Sequence, residues 1–318
     1  MKQLLIENEG VIYTPVVPDD VTIEWERKQA GRLSFKVMKD GIINFTEGNP
    51  VKFFVDDTPL FYGFVFTKQR DKEGIIKVTA YDQLRYLKYK DTYREYDLTA
   101  SEFILKIAGG IKTLNLGTIE DTKFVISEIK EDNQPYLDMV LSALDVTLTN
   151  TGDLFVLYDD FGKLVLTNVN NLKLDILIDD ETGENFDYTS SIDSNTYNKI
   201  KLAFDNKDTG KRDIYTAQDG DHINKWGVLQ YFEALNDPAY GKIKADGLLN
   251  LYNQKTRSLT VKGVFGDIRV RAGSALMVNL NLGDIVIGTY MMVEKVVHNF
   301  NEDYHSMDLT LRGGDYNF

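Results

Sequence analysis

The chain has 318 residues, 43% of them hydrophobic and 12% aromatic, enough for two or three domains with cores of their own and too apolar for a disordered chain. Its formal net charge of -13 argues against stable binding to a nucleic-acid backbone or an anionic membrane, both of which need clustered Lys and Arg. There are no cysteines, so disulfides, thiolate catalysis and Cys-ligated metals are excluded.

At the start, Lys2 is followed only by the short apolar run Leu4-Leu5-Ile6 before Glu7, too short for an export signal, and no later segment is long enough to span a membrane. Strands come next. Ile23 and Trp25 alternate with Thr22, Glu24 and Glu26, and Leu33, Phe35 and Val37 alternate with Arg32, Ser34 and Lys36. A period of two marks a sheet with one buried face. Turns are predicted at Ala30-Gly31, Lys39-Asp40-Gly41, Asp56 to Pro59 and Lys72-Glu73-Gly74. The segment Ala80 to Leu87 then leaves the sheet as a helical turn.

The middle changes period. Thr99 stands three before Glu102, the spacing of a capping box, and Phe103, Ile104 and Ile107 follow on one helical face, with Gly109-Gly110 as the stop. A second helix is predicted from Pro135, carrying Leu137, Val140, Leu141 and Leu144. Leu154 to Tyr158 and Leu164 to Leu166 read as a hairpin around Asp159 to Gly162. Residues 171–194 are polar and give no clear period. Tyr197 to Phe204 is a predicted strand, Asp205 to Arg212 a charged turn, and Asp221 a predicted N-cap for a helix anchored by Trp226. Asp237-Pro238 opens a further predicted helix with Tyr240, Ile243, Gly247 and Leu251 on one face. Strands return from Leu259 to Leu311, with turns at Gly266-Asp267, Ala272-Gly273, Gly283-Asp284 and Asn301 to Asp303.

Two stretches share a rhythm. Gly48 precedes Val51, Phe53 and Val55, then Leu60, Phe61 and Gly63; Gly273 precedes Leu276, Val278 and Leu280, then Ile285, Val286 and Gly288. Closing strands Ile76 to Thr79 and Met307 to Thr310 follow. The pattern suggests a doubled β-unit. The fold class is therefore mainly β with an α+β insertion: two tube-like β-barrels, a small α/β module and short helices. The expected domains are residues 1–97 (first barrel), 98–170 (insertion) and 171–318 (second barrel, interrupted by helices near 221–253). In an alternative division, part of 171–215 completes the first barrel.

Signals for chemistry are weak. No catalytic, cofactor-binding or metal-ligating residue is predicted. His222, His298 and His305 lack metal spacing; His298 and His305 could meet across a hairpin but read as surface residues. Asp205 to Gly210 has the outline of a calcium loop, yet Lys207 takes a ligand position and Thr216 replaces the bidentate Glu. The pairs Asp159-Asp160 and Asp179-Asp180 sit in turn-like sequence and read as solvated. The tyrosines 81, 86, 89, 93 and 96 read as packing between barrel and insert, or between subunits.

Four passages together carry a resemblance: Val78 to Leu87; Ser191-Ile192-Asp193 with Tyr197 to Ile200; Val270 to Gly273 running into Asn279 to Asp284; and Met292 to Val296 with His305 to Leu309. In these the chain resembles the tail hub proteins of contractile phages and phage-tail-like bacteriocins, the PBSX XkdQ-like group. That group is related in fold to the late-control D proteins and to the hub part of type VI secretion spikes. The resemblance implies a structural, non-enzymatic homotrimer. Its six barrels would adapt a sixfold tail tube to a threefold spike. It implies tube, spike, other baseplate proteins and a tape-measure protein as partners. It also implies assembly in the bacterial cytoplasm and residence in the tail baseplate. No fused lysozyme or peptidase module is expected before Phe318. The rival readings are a carbohydrate-binding β-protein and a cell-wall glycoside hydrolase.

Overall fold

A computed structural model describes all residues except 18–19, 40, 180, 184, 194, 207–208, 236–240, 282–285, 303 and 314–318. The expectations for Asp40, Asp180, Lys207, Asp237-Pro238, Tyr240, Gly283-Asp284, Ile285, Asp303 and Phe318 therefore lie outside the described residues.

The first unit is built from β1 (Lys2–Asn8), β2 (Val11–Tyr13), β3 (Val21–Glu26), β4 (Arg32–Met38), β5 (Pro50–Val55), β6 (Thr58–Arg70) and β7 (Ile75–Tyr81). Their order across the sheet is β3-β4-β7-β6-β5-β1-β2. The alternation works as physics requires: Val21, Ile23 and Trp25 turn inward while Thr22, Glu24 and Glu26 turn out.

An insertion follows the 3-10 turn Gln83–Lys88. It consists of β8 (Lys90–Thr99), α1 (Ala100–Gly110), β9 (Leu116–Ile119), β10 (Val125–Pro135), α2 (Tyr136–Thr151), β11 (Phe155–Asp159) and β12 (Leu164–Asn168), around a core of its own that includes Phe103, Ile107, Met139 and Leu166. Thr99 and Glu102 form the full capping box of α1. Gly109 and Gly110 are its last two helical residues, so it stops where the glycine pair predicts, with Ile111 as the C-cap.

The second unit comprises β13 (Lys173–Asp179), β14 (Asn185–Ser191) and, after a second insertion, β18 (Thr256–Phe265), β19 (Ala275–Asn281), β20 (Val286–Phe300) and β21 (His305–Gly313). The second insertion is β15 (Lys199–Asn206), β16 (Lys211–Gln218), α3 (Gly220–Trp226), β17 (Gln230–Ala234) and α4 (Gly241–Tyr252). The polar stretch after Asn171 thus holds two strands, and they pair with β19 and β18. It adds to the second unit and not to the first.

The two units repeat each other in pairing. The order β14-β18-β21-β20-β19-β13 matches β3-β4-β7-β6-β5-β1, with one difference: β13 runs parallel to β19, whereas β1 runs antiparallel to β5. Gly48 and Gly273 both adopt positive φ, +89° and +95°. The Gly48 N–H donates to Val65 O and the Val65 N–H to Asn49 O; the Gly273 N–H donates to Val293 O and the Val293 N–H to Ser274 O. Both long strands then bulge at once, between Val65 and Thr67 in β6 and between Val293 and Lys295 in β20. The second glycines of the sequence pattern are not equivalent. Gly63 pairs with Val51, but Gly288 pairs with Asn279, because the β19–β20 hairpin is longer.

Gly273 is the tighter of the two turns. A Cβ there would lie 2.8 Å from Val156 Cγ1, whereas at Gly48 it would meet nothing within 4 Å. Both sites punish an L side chain through φ, by about 1–2 kcal/mol. Gly273→Ala is expected to cost about 1 kcal/mol more than Gly48→Ala because Val156 must also shift. Paired denaturant midpoints check this.

The two units fuse through β20. Its first half pairs with β19, and its second half, Lys295 to Phe300, pairs with Glu26 to Val21 of β3. One hydrophobic core spans both units. The class is mainly β with α+β insertions. Among the described residues no ladder joins β1 to β3 or β13 to β14, so backbone hydrogen bonds do not close either unit on itself.

The second insertion corrects three local expectations. Asp219, not Asp221, caps α3, accepting from the N–H groups of Asp221 and His222. Trp226 is no anchor: α3 buries none of its residues, and Trp226 stacks on His222 with centroids 4.0 Å apart. On α4 the buried face is Gly241, Ala245 and Leu248, and Ile243 is exposed. Gly247 backs onto α2, where a Cβ would come 2.4 Å from Thr149 O.

Candidate functional site

Where the first unit, the second unit and the first insertion meet, the chain buries charge. Asp82 leads into the 3-10 turn; its Oδ2 accepts from Gly31 N–H at 2.7 Å and its Oδ1 from Leu84 N–H at 3.0 Å. Asp159 ends β11; its Oδ1 accepts from Gly162 N–H at 2.7 Å and its Oδ2 from Gln83 Nε2 at 2.7 Å. Both carboxylates are buried, which corrects the solvated reading of Asp159. Burial, then the neighbouring Asp159 carboxylate, holds Asp82 well above the usual carboxylate range. Burial likewise pushes Asp159 up to about 6.

Arg271, from the loop between β18 and β19, reaches into this cluster. Its Nη2 donates to Asp159 O at 2.8 Å, and its guanidinium stands 3.9 Å from the Tyr158 ring centroid and 5.3 Å from that of Trp25. One arginine of the second unit thus touches the first unit and the insertion together. A planar cation between two rings, with a carbonyl to bond, suits such a three-way junction.

A histidine pair also packs beside Trp25, whose ring meets that of His298 edge-on. His298 is fully buried; its Nε2 sits 2.9 Å from Val270 O and its Nδ1 2.9 Å from His305 Nε2. The carbonyl requires a proton on His298 Nε2, so His298 Nδ1 accepts the His305 Nε2–H. The pair does meet across the β20–β21 hairpin, but His298 is a core residue and not a surface one. Burial holds His298 down at about 3 and His305 at about 4.

Can this cluster catalyse a reaction? The cavity beside Asp82 and Asp159 measures only about 20 Å³, room for a water and not for a sugar ring. A cavity of about 1440 Å³ opens between β1 and the end of β20. Its Asp56 and Asp267 are held below the usual carboxylate range, by hydrogen bonds from the chain's terminal ammonium and from Arg269. Neither offers the raised carboxyl a glycoside hydrolase needs as its acid. Among the described residues no three His, Asp or Glu side chains gather to hold a metal ion, and no helix is long and apolar enough to cross a membrane. Asp205, in the calcium-like segment, bonds Arg212 at 2.6 Å. Tyr81 and Tyr86 pack on Phe66 of β6, and Tyr93 packs on Phe103 inside the insertion, while Tyr89 and Tyr96 are exposed.

The cluster sits at a joint, and what it joins are two β-units of the same strand order. The YqbQ-like family model matches residues 21–312, which takes in both of them. The chain belongs to the YqbQ-like family. It is 30% identical over 307 residues to the Bacillus subtilis phage-like element PBSX protein XkdQ, covering 92% of each chain. Its fold matches the 43 kDa tail protein of Shewanella oneidensis prophage MuSo2, with a TM-score of 0.70, 12% identity and coverage of 97% and 98%. It also matches the Escherichia coli c3393 protein, with a TM-score of 0.58, 11% identity and coverage of 99% and 77%. That protein is a type VI secretion component similar to phage T4 tail proteins gp27 and gp5. For this YqbQ-like chain the structure supplies what no motif carried, namely the buried joint of Asp82, Asp159, Arg271 and His298.

Proposed function

We propose that this chain is the structural hub of a contractile tail baseplate, a homotrimer that joins a sixfold tail tube to a threefold spike and performs no reaction. The observation that carries the reading is the repeat: each chain holds two units of the same strand order, so three chains present six similar units. Such an object has threefold symmetry with sixfold resemblance, which is what a tube on one side and a spike on the other require. The relatives agree in kind: XkdQ is a protein of a phage-like element, and the c3393 protein belongs to a type VI secretion system. In this reading the division is 1–97, 98–170 and 171–318, the units form the ring, and the insertions face neighbouring parts. Tube, spike, other baseplate proteins and tape measure are the partners. The protein assembles in the bacterial cytoplasm and ends in the tail. The net charge of -13 suits a passage that nucleic acid crosses without sticking.

The test is nucleation. Added in small amounts to purified tube protein from the same gene cluster, the chain is expected to abolish the lag of tube polymerisation and to cap one tube end. An unchanged lag overturns the reading, as does a clear zone on a peptidoglycan zymogram.

A further inference from the structure

The joint inside one chain shows how the next chain attaches. On β20, strands β19 and β3 lie end to end along the edge away from β21: β19 occupies Val286 to Met292 and β3 occupies Lys295 to Phe300. On β6 the same edge is half used. Strand β5 pairs with Thr58 to Phe64, Val65 is held by Gly48 and Asn49, and Thr67 to Arg70 have no backbone partner there among the described residues. Thr67, Gln69 and Arg70 are exposed. The other half of the match is also open. The counterpart of β3 in the second unit is β14, which ends the sheet among the described residues. Val21 and Ile23 of β3 are buried under β20; their counterparts on β14, Phe186 and Tyr188, are 41% exposed and half-buried.

We infer that the free edge of β6, Thr67 to Arg70, pairs antiparallel with β14 of a second copy of this chain. The register follows from the joint already present. Val65 corresponds to Val293, so Thr67 to Arg70 correspond to Lys295 to His298. Tyr188 pairs with Leu259 as Ile23 pairs with Leu33, so Tyr188 to Ser191 correspond to Ile23 to Glu26. Lys295 meets Glu26 and His298 meets Ile23 inside the chain. Between chains, Thr67 then meets Ser191, Lys68 meets Ser190, Gln69 meets Thr189 and Arg70 meets Tyr188. The Lys295 ion pairs with Glu24 and Glu26 give way to hydroxyl and amide side chains on the same outer face. On the inner face Arg70 covers the tyrosine ring. An unpaired strand edge on one copy and an unpaired edge strand on the next are complementary, head to tail, and neither is left to aggregate once the ring closes.

This rests on the ring reading above, and the test separates the two. The chain has no cysteine, so Gln69→Cys with Thr189→Cys introduces one pair. Directly opposed strand residues have Cα atoms about 4.5–5.5 Å apart, within disulfide range. Mild oxidation is expected to convert the monomer band on a non-reducing gel to a covalent trimer, with peptide mapping placing the bond between positions 69 and 189 of different chains. Gln69→Cys with Asn185→Cys, displaced along β14, is expected to stay monomeric on the gel. In the unaltered protein, amide exchange at 67–70 and 188–191 is expected to slow about tenfold or more on assembly. A trimer by native mass spectrometry with no 69–189 bond and no added protection overturns the pairing and spares the trimer. A chain that stays monomeric overturns both.

Discussion

Trp25→Ala is expected to lower the unfolding free energy by about 3–5 kcal/mol, as a large buried aromatic does when truncated. Trp25 is 8% exposed and sits at the seam of the two units. Its backbone pairs with Val296 of β20, its ring meets His298 edge-on with centroids 5.2 Å apart, and Arg271 lies over it. Gly31 exists at that spot for the same reason: a Cβ there would stand 2.6 Å from Trp25 Cδ1 and 2.5 Å from Asp82 Oδ2. Truncation leaves a void beside the Arg271 guanidinium and the neutral His298 ring, which water then enters. Its effect should concentrate at the joint. Amide exchange of Lys295 to Phe300 is expected to accelerate more than that of β11 and β12, which belong to the insertion. A variant that loses less than about 1 kcal/mol, or loses protection evenly, contradicts the role given to Trp25.

The second large effect is on acid stability, and two groups oppose each other. His298 ionises near 6.5 when unfolded and near 3 when folded, so unfolding takes up a proton between those values. Its contribution is complete above pH 6.5 and is lost progressively as pH falls toward 3. The cause is burial first, and then His305, whose Nε2–H a proton on His298 Nδ1 would face. Asp159 acts the other way. Its folded value is raised to about 6, so the native state holds a proton that unfolding releases between about pH 4 and 6. That contribution is present at low pH and is lost as pH rises through 6. His298→Gln keeps a donor for Val270 O and removes the titration. Its destabilisation relative to the parent is expected to shrink by about 1.4 kcal/mol per pH unit between pH 6.5 and 4. The destabilisation of Asp159→Asn is expected to grow over pH 6 to 4. Urea midpoints at three pH values check both, and pH-independent differences contradict the burial of these groups.

How far the sequence carried the fold follows from where each signal comes from. Alternation in Val21 to Val37, the Thr99–Glu102 box, and the helix opening at Pro135 are local and were legible, because the physics that sets them lies within a few residues. The glycine pair Gly48 and Gly273 was legible as a repeat because a positive φ restricts residue choice. Strand β14 was not. Its outward face and its edge are both open in a single chain, so Asn185 to Ser191 carries no burial pattern to read. The acidic residue Asp159 does form its turn, through Gly162, yet its burial comes from Gln83 and Arg271, far away in sequence. His298 likewise alternates correctly inside β20; only the tertiary fold shows that it faces Val270 and His305. Tertiary contacts of single polar residues leave no period behind them, and the joint is made of such contacts.

Native mass spectrometry of the purified chain, across a concentration series, weighs the ring account most directly. Three copies of the 36.3 kDa chain are the predicted closed species, growing in with concentration and stopping there. A ladder of two, four and five copies, or a lone chain at every concentration, would show that its two β-units do not build a threefold ring.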